Sequence, residues 1–288
     1  MNICKRFSKP NNKFAKKFKN SWKTEDGSLK NPVSRIQYQE MNIHRQELST
    51  KSYFIDRFGK LSTSFLFWQI QEIAWEHAEM LGVGFDNLQQ EESFWVLSRL
   101  LVKIKRRPNW GEKFTLETWP TGSDGFLAHR DIRFIDESGD HIIKASTSWL
   151  ILNLKTKRIL RFENFRDFPF HEERVFDEFA GKVASPKSED ELLFTPVLFN
   201  EIDVNQHFNT GRYLERVIDS YDFDFHEKHE LTEFEVNFAK EGIPGDLLAV
   251  KREEIDPENH LCSVVRQSDG AELIRARLVW GKRKPNTI

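Results

Sequence analysis

The stretch "GKLSTSFLFWQIQEIAWEHAEMLG", residues 59–82, decides how the chain folds. Ser62 stands where an N-cap accepts a first-turn N–H, apolar residues then recur on nearly every side, and Gly82 suits a left-handed C′ position. The spacing predicts a long helix, buried almost all round. Beyond it the period changes: "FWVLSRLLVKIKRRP", "EKFTLETWP", "FLAHRDIRFIDESGD" and "HIIKASTSWLILNL" are rich in β-branched and aromatic residues and are divided by Gly, Pro, Asp and Ser turn signals. They predict an antiparallel sheet, with Ser138 and Gly139 in a hairpin connection.

The plan then returns. After the charged "SPKSEDE" at 185–191, Tyr213, Leu214, Val217, Ile218 and Tyr221 recur at helical spacing in a helix from about Asn209 to Tyr221. Four strand-like runs come next, "ELTEFEVNFAKEG", "DLLAVKREEID", "HLCSVVRQSDG" and "ELIRARLVWGK". A long helix wrapped by a curved antiparallel sheet is a hot-dog unit, and a second copy is the simplest partner for the apolar surface one unit leaves over. The expected fold class is therefore α+β, a tandem double hot-dog. Residues 1–45 form a basic, flexible arm in this reading, 46–170 the N-terminal hot-dog, 171–192 a linker and 193–288 the C-terminal hot-dog.

Composition bounds the rest. The chain has 288 residues, a formal net charge of −2 and 39% hydrophobic residues, enough for a sizeable core. Residues 1–40 carry ten Lys or Arg against Glu25, Asp26 and Glu40, which sets them apart as a solvated extension, or as a targeting or carrier-contacting segment. Cys4 and Cys262 are far apart in sequence, so neither a disulfide framework nor a cysteine metal knuckle is suggested, and a reducing, cytoplasm-like compartment fits best. The plastid stroma is the alternative if the arm is a transit segment. No apolar run approaches the roughly 20 residues of a membrane span, so no stable membrane insertion is expected, and no nucleic-acid partner.

A polar cluster marks "DVNQHFNTGRYLE", residues 203–215, where Asp203, Asn205, His207 and Asn209 stand directly ahead of the second helix, either as ordinary helix capping or as a reaction centre. Capping alone accounts for Asp and Asn at such a place, and Asn209 fits the N-cap role. A lone histidine is likewise more often a satisfied surface or core residue than a catalyst. The segment holds one histidine and no cysteine, a poor metal site, so no metal or other cofactor is expected.

From about residue 50 to 282 the sequence resembles the acyl-acyl carrier protein thioesterases of plants and bacteria. The likeness runs through "EIAWEHAEMLGVG", through Arg107, Trp110, Gly111 and Glu117 to Pro120, through "RDIRFID", and through "STSWLILNLKTKRILR". The resemblance implies a reaction centre in the second hot-dog, carried by Asp203, Asn205, His207 and Asn209, with Glu241 of "FAKEG" on the following strand. Many members place a cysteine directly after that glutamate; Gly242 stands here and argues against thiol catalysis. Aligning the helix starts, and "NWGE" with "IPGD", sets Phe58 opposite Asn205, Lys60 opposite His207 and Arg107 opposite Glu241. One active site per chain is expected, with the first half shaping the acyl pocket.

Those residue types suit thioester hydrolysis. A thiolate leaves without strong acid help because a thiol pKa is only about 8.5, so a base and an oxyanion site suffice. The base role is shared between His207 and Glu241, and Glu241 is open to being base or nucleophile. Asp203 could orient Asn205 or His207, or act directly. N–H groups at the helix opening, with the Asn205 amide, are expected to hold the oxyanion. Phe65 and Trp68, with Phe67, Phe94 and Trp95, could line an acyl tunnel, although aromatics at such spacing are more often plain core. Acylated acyl carrier protein and its fatty acyl chain are the implied partners, with Lys103, Lys105, Arg106 and Arg107 as candidates for a basic docking face. The competing readings are a non-catalytic acyl-binding hot-dog protein and a hot-dog dehydratase or hydratase. Either a monomer or a homodimer is compatible.

Overall fold

Helix α1 (Thr63–Met80) starts and stops where its sequence dictates. Ser62 Oγ accepts the Phe65 N–H at 3.3 Å, and beyond the last turn Gly82 takes φ +71°, a conformation that costs a glycine nothing. Leu66, Phe67, Ile70 and Ile73 are buried, but the helix is not enclosed all round. Glu72, Trp75, Glu79 and Met80 form an outward stripe, with Trp75 54% exposed and its indole N–H on Glu79 at 3.1 Å. The computed structural model describes residues 43–161, 170–188 and 190–284, so residues 1–42 of the expected arm lie outside the described residues.

Strand β1 (His44–Ser49) precedes α1; a short helix, α2 (Phe85–Gln90), and strands β2 (Ser93–Ile104), β3 (Lys113–Ser123), β4 (Ala128–Asp136), β5 (His141–Asn153) and β6 (Ile159–Leu160) come after it. The second half repeats the order with β7 (Glu191–Pro196), α3 (Thr210–Asp219), a short α4 (Phe223–Lys228), then β8 (His229–Phe238), β9 (Leu247–Glu254), β10 (Asn259–Arg266) and β11 (Ala271–Lys282). The sheet thus takes up residues 44–45 and 191–192, which the sequence pattern assigns to the arm and the linker.

All of these strands belong to one antiparallel sheet, in the order β1-β3-β4-β5-β2-β8-β11-β10-β9-β7, with β6 beside β5. The order reads the same from either edge, a double hot-dog whose halves meet edge to edge where β2 pairs with β8. At that seam Leu100 faces Val236 and Val102 faces Phe234, all four buried on the helix side. On the opposite side Lys103 reaches Glu233 at 3.4 Å. Four buried apolar side chains at about 1.5–3 kcal/mol each outweigh one half-exposed ion pair worth about 1 kcal/mol or less, so apolar burial sets the register. A single core runs through both halves, and the helices touch: a Cβ added to Gly211 of α3 would lie 2.2 Å from Trp68 Nε1 of α1.

The segment 170–188 is a strap rather than a loose linker. It crosses the sheet from β3 to β8 through side-chain and backbone bonds: Trp119 Nε1 donates to Glu173 O, and the N–H groups of Val175, Gly181 and Val183 donate to Asp131, Glu235 and Asn237. This explains polar residues in the middle of otherwise apolar strands, since each satisfies a strap amide that would otherwise be buried unpaired.

On the helix side of the first half, Arg130 is buried and donates to His77 Nδ1 at 2.8 Å and Thr118 Oγ1 at 3.2 Å. Burial, with the Arg130 charge and His44 adding to it, holds the His77 imidazole down at about 2, and burial alone brings Arg130 down to about 9. An imidazole that protonates at 6.5 when unfolded and about 2 when folded contributes stability above pH 6.5 that is lost as the pH falls towards about 2. The slope from one such group reaches about 1.4 kcal/mol per pH unit. The urea midpoint is accordingly expected to drop between about pH 7 and pH 5. His77→Asn keeps an acceptor for Arg130 without a titrating ring and is expected to flatten that drop; an equally steep fall in the variant refutes the assignment.

Candidate active site

The site grows from a five-residue turn. Asp203 Oδ1 accepts the N–H groups of Asn205 (2.8 Å) and His207 (3.1 Å), and the Asp203 N–H donates to His207 O at 2.8 Å. Closing the turn forces Gln206 to φ +65°, an uncommon conformation for a residue with a Cβ. The Phe208 N–H then donates to Gly242 O at 2.8 Å, tying the turn to the segment that continues β8. The residues just before each partner are His207 and Glu241, and their side chains meet: His207 Nε2 lies 3.0 Å from Glu241 Oε2, with 25% and 45% of the two side chains exposed. An imidazole and a carboxylate in contact and open to solvent can bind a water and take its proton.

Asn209 ends the turn as the N-cap of α3, its Oδ1 accepting the Gly211 N–H at 2.9 Å. Tyr213, one turn along and buried, accepts the Gly242 N–H on Oη at 2.8 Å. Burial pushes its phenol up, with the charge of Glu241 adding to the shift, so it stays protonated.

The first half builds the same backbone with different side chains. Asp56 Oδ1 accepts from Phe58 N (2.9 Å) and Lys60 N (3.1 Å), Asp56 N donates to Lys60 O (2.8 Å), Gly59 takes φ +73°, and Leu61 N donates to Pro108 O (2.9 Å). The turns after Asn109 and Ile243 match as well: each N–H is capped by the acid three residues on, Glu112 at 2.9 Å and Asp246 at 3.0 Å. Lys60 and Arg107 therefore stand where His207 and Glu241 stand, as the sequence alignment expects. Lys60 turns to Glu230 at 3.5 Å, and Arg107 donates to Leu61 O at 3.2 Å.

Of the expected site residues, His207 and Glu241 are brought together. The Asp203 carboxylate serves the turn, bonding to N–H groups of the backbone rather than to the imidazole or the Asn205 amide. Asn205 is exposed, and among the described residues no hydrogen bond joins its amide to His207 or Glu241. The N–H groups of residues 205–209, 211 and 212 all have acceptors within the turn, the cap and neighbouring loops, leaving Thr210 as the donor of this run with no acceptor among the described residues. Phe65 packs on Phe54 (4.2 Å between ring centres) and Trp68 (4.9 Å), and Arg212 lies over the Trp68 ring at 5.1 Å, so this aromatic group joins α1 to the start of α3.

Three of the four residues of the expected basic docking face meet carboxylates. Lys105 reaches Asp140 at 2.9 Å, Arg106 bridges Glu112 and Asp136, Lys103 is held by Glu233, and Arg107 turns onto Leu61 O. Strand alternation fixes which way these side chains point, not the carboxylates that meet them. Tyr213 escapes a sequence reading, because it looks like one more core residue of an amphipathic helix.

The acyl-ACP thioesterase N-terminal domain matches residues 41–165, and the acyl-ACP thioesterase C-terminal domain matches residues 184–282. The chain belongs to the acyl-ACP thioesterase family. A relative in this family, the chloroplastic palmitoyl-acyl carrier protein thioesterase of Arabidopsis thaliana, is 26% identical over 283 residues, 88% of this chain and 68% of that protein. A chloroplastic acyl-[acyl-carrier-protein] hydrolase of Cuphea viscosissima is 25% identical over 258 residues, 83% of this chain; the chain spans 62% of its length, less than two thirds. Among solved structures, an acyl-ACP thioesterase from Bacteroides thetaiotaomicron superposes with a TM-score of 0.79 at 23% identity, covering 84% of this chain and 99% of that one. The 12:0-ACP thioesterase from Umbellularia californica gives 0.76 at 21%, covering 84% and 98%. These two share the double hot-dog fold with this family member.

If Asp56 and Asp203 do the same structural work, Asp56→Ala and Asp203→Ala should each lower stability by about 1–3 kcal/mol, the cost of leaving two turn amides without an acceptor. Asp56→Asn and Asp203→Asn keep Oδ1 and should recover most of it. Urea unfolding of the four variants checks this, and an Asp203→Ala loss far from that of Asp56→Ala would show that the two turns are not equivalent.

Proposed function

We propose that this chain is a thioester hydrolase that cleaves fatty acyl carrier protein into free fatty acid and the holo carrier protein, ending chain elongation. The observation that carries the reading is the contact between His207 and Glu241 at 3.0 Å, on a turn whose twin in the first half bears Lys60 and Arg107 instead. Family membership supports the substrate class. His207 and Glu241 share the activation of water: one accepts its proton while the other holds the acceptor in place, and the hydroxide equivalent attacks the thioester carbonyl. The pantetheine thiolate then leaves on its own, because a thiol of pKa about 8.5 is acidic enough for its thiolate to depart unprotonated, so neither a metal nor a cofactor is required by the reaction. The Asn205 amide and the Thr210 N–H are the donors we assign to the developing oxyanion.

Asp203 and Asn209 enter this reading as the residues that shape the turn and cap α3, and Phe65 and Trp68 as first-half residues bordering the acyl chain. The domains divide the work: residues 46–170 receive the acyl chain, and residues 193–288 carry the chemistry. No described helix is long and apolar enough to cross a membrane. We keep the cytoplasm as the compartment on the cysteine argument, with the plastid stroma as the alternative that the chloroplastic relatives favour. Pairing of β2 with β8 already supplies within one chain the contact that a second hot-dog copy would give, which suits a monomer and leaves β1 and β7 as the edges where a homodimer would form.

A panel of acyl carrier proteins loaded with chains of different length, with free acids read by mass spectrometry, tests activity and leaving group together. His207→Ala and Glu241→Ala are each expected to lower kcat by about 10²–10⁴-fold. Both replace exposed or half-exposed side chains and should leave the urea midpoint close to that of the wild type. Turnover at the wild-type rate in either variant defeats the assignment, and acyl binding without release of thiol would favour a non-catalytic acyl-binding protein.

A further inference from the structure

We infer that Tyr213 is a positioning residue, its hydroxyl holding the Gly242 peptide and thereby aiming Glu241 at His207; this rests on the hydrolase reading above. The Gly242 peptide is gripped on both sides: its N–H donates to Tyr213 Oη at 2.8 Å, and its carbonyl accepts from Phe208 N at 2.8 Å. Glu241 is the residue immediately before, with a side chain 45% exposed. Its direction is therefore set largely by the backbone that carries it.

The first half acts as an internal control. Equivalence of the two N-caps, Ser62 and Asn209, places Leu66 opposite Tyr213, and equivalence of the bonds from Leu61 to Pro108 and from Phe208 to Gly242 places Pro108 opposite Gly242. Leucine has no hydroxyl and proline has no N–H. The same turn, cap and strand end thus form with neither partner of the bond present. The bond is not needed to build this backbone, and it occurs only in the half where an acid and an imidazole meet.

The packing is as specific as the bond. A Cβ on residue 242 would lie 3.1 Å from both Tyr213 Oη and Phe208 Cβ, and 3.4 Å from Leu273 Cδ1. The hydroxyl thus occupies the space that a side chain at 242 would need, and the Tyr213 ring is braced edge-on against Phe208 at 4.6 Å. Tyr213→Phe keeps the ring and deletes only the hydrogen bond.

Two measurements test this on the full-length protein. Hydrogen exchange at the Gly242 amide reads the bond whether or not the chain is active, and Tyr213→Phe should speed it at least tenfold. With an acyl carrier protein substrate the same variant should lose about tenfold or more in kcat while KM stays within about threefold, because orientation of a catalytic group rather than binding is lost. Gly242→Ala, which retains the Tyr213 hydroxyl but displaces it, should give the same split between kcat and KM, and it decides the matter if Tyr213→Phe does not fold. Unchanged amide exchange, or kcat within twofold of the wild type in the folded variants, overturns the inference. A wild-type protein inactive on every acyl carrier substrate overturns the hydrolase reading instead, and the exchange result stands apart from it.

Discussion

One backbone hydrogen bond, from the Phe208 N–H to the Gly242 carbonyl at 2.8 Å, decides what the rest of the molecule can do. It joins the turn before α3 to the segment after β8, and the residues preceding its two partners become neighbours although they are far apart in the chain. The same bond occurs in the first half between Leu61 and Pro108. There the residues preceding its partners are Lys60 and Arg107, whose side chains turn away from each other, Lys60 to Glu230 of the other half and Arg107 to the Leu61 carbonyl. One backbone arrangement thus serves as scaffold twice, and brings an acid and an imidazole together once.

The arrangement needs the two halves to be rigidly joined, and the sheet does this in two ways. Pairing of β2 with β8 buries Leu100, Val102, Phe234 and Val236 beneath the helices, while the strap over residues 170–188 ties the outer face of β4 to that of β8. Rings continue the connection towards the site: Phe67 of α1 lies 6.2 Å from Phe238 at the end of β8, Phe238 lies 6.5 Å from Tyr213, and Tyr213 meets Phe208. The first half therefore reaches the His207–Glu241 pair through packing, although it supplies neither member of it.

The fold is most legible in the sequence where local chemistry is decisive. Ser62, Asn209, Gly82 and Gly139 announce caps and turns because a hydroxyl, an amide or a missing Cβ satisfies a local demand whatever the tertiary context. Edge strands are harder: "HRQELS" in β1 and "ELLFTP" in β7 each pair on one side only, so no strong alternation of apolar residues is imposed on them. The strap has no period at all, since side chains of the sheet hold its backbone. Asp203 reads from the sequence as a member of the polar set, yet Asp56, at the same place in the first half, accepts the same pair of turn N–H groups, so the carboxylate has a structural task of its own. The meeting of His207 with Glu241 depends on strand pairing across the whole second half and is legible only through family resemblance.

Gly242 shows why that resemblance has to be carried over residue by residue. A cysteine there would bring its Cβ to 3.1 Å from the Tyr213 hydroxyl and from Phe208, closer than nine in ten such contacts, so the phenol would have to give way by a few tenths of an ångström. Where the phenol is present and accepts the Gly242 N–H, the glycine peptide is fixed while the Glu241 side chain stays 45% exposed. An exposed glutamate on a loose backbone would spread over many orientations, at an ordering cost of about 1–2 kcal/mol for the backbone alone. Holding the peptide from both sides removes that part of the cost before substrate arrives and leaves the carboxylate free to move only through its own rotamers. The substitution of a cysteine by a glycine is then a change in how the acid is held, which leaves the His207–Glu241 pair intact.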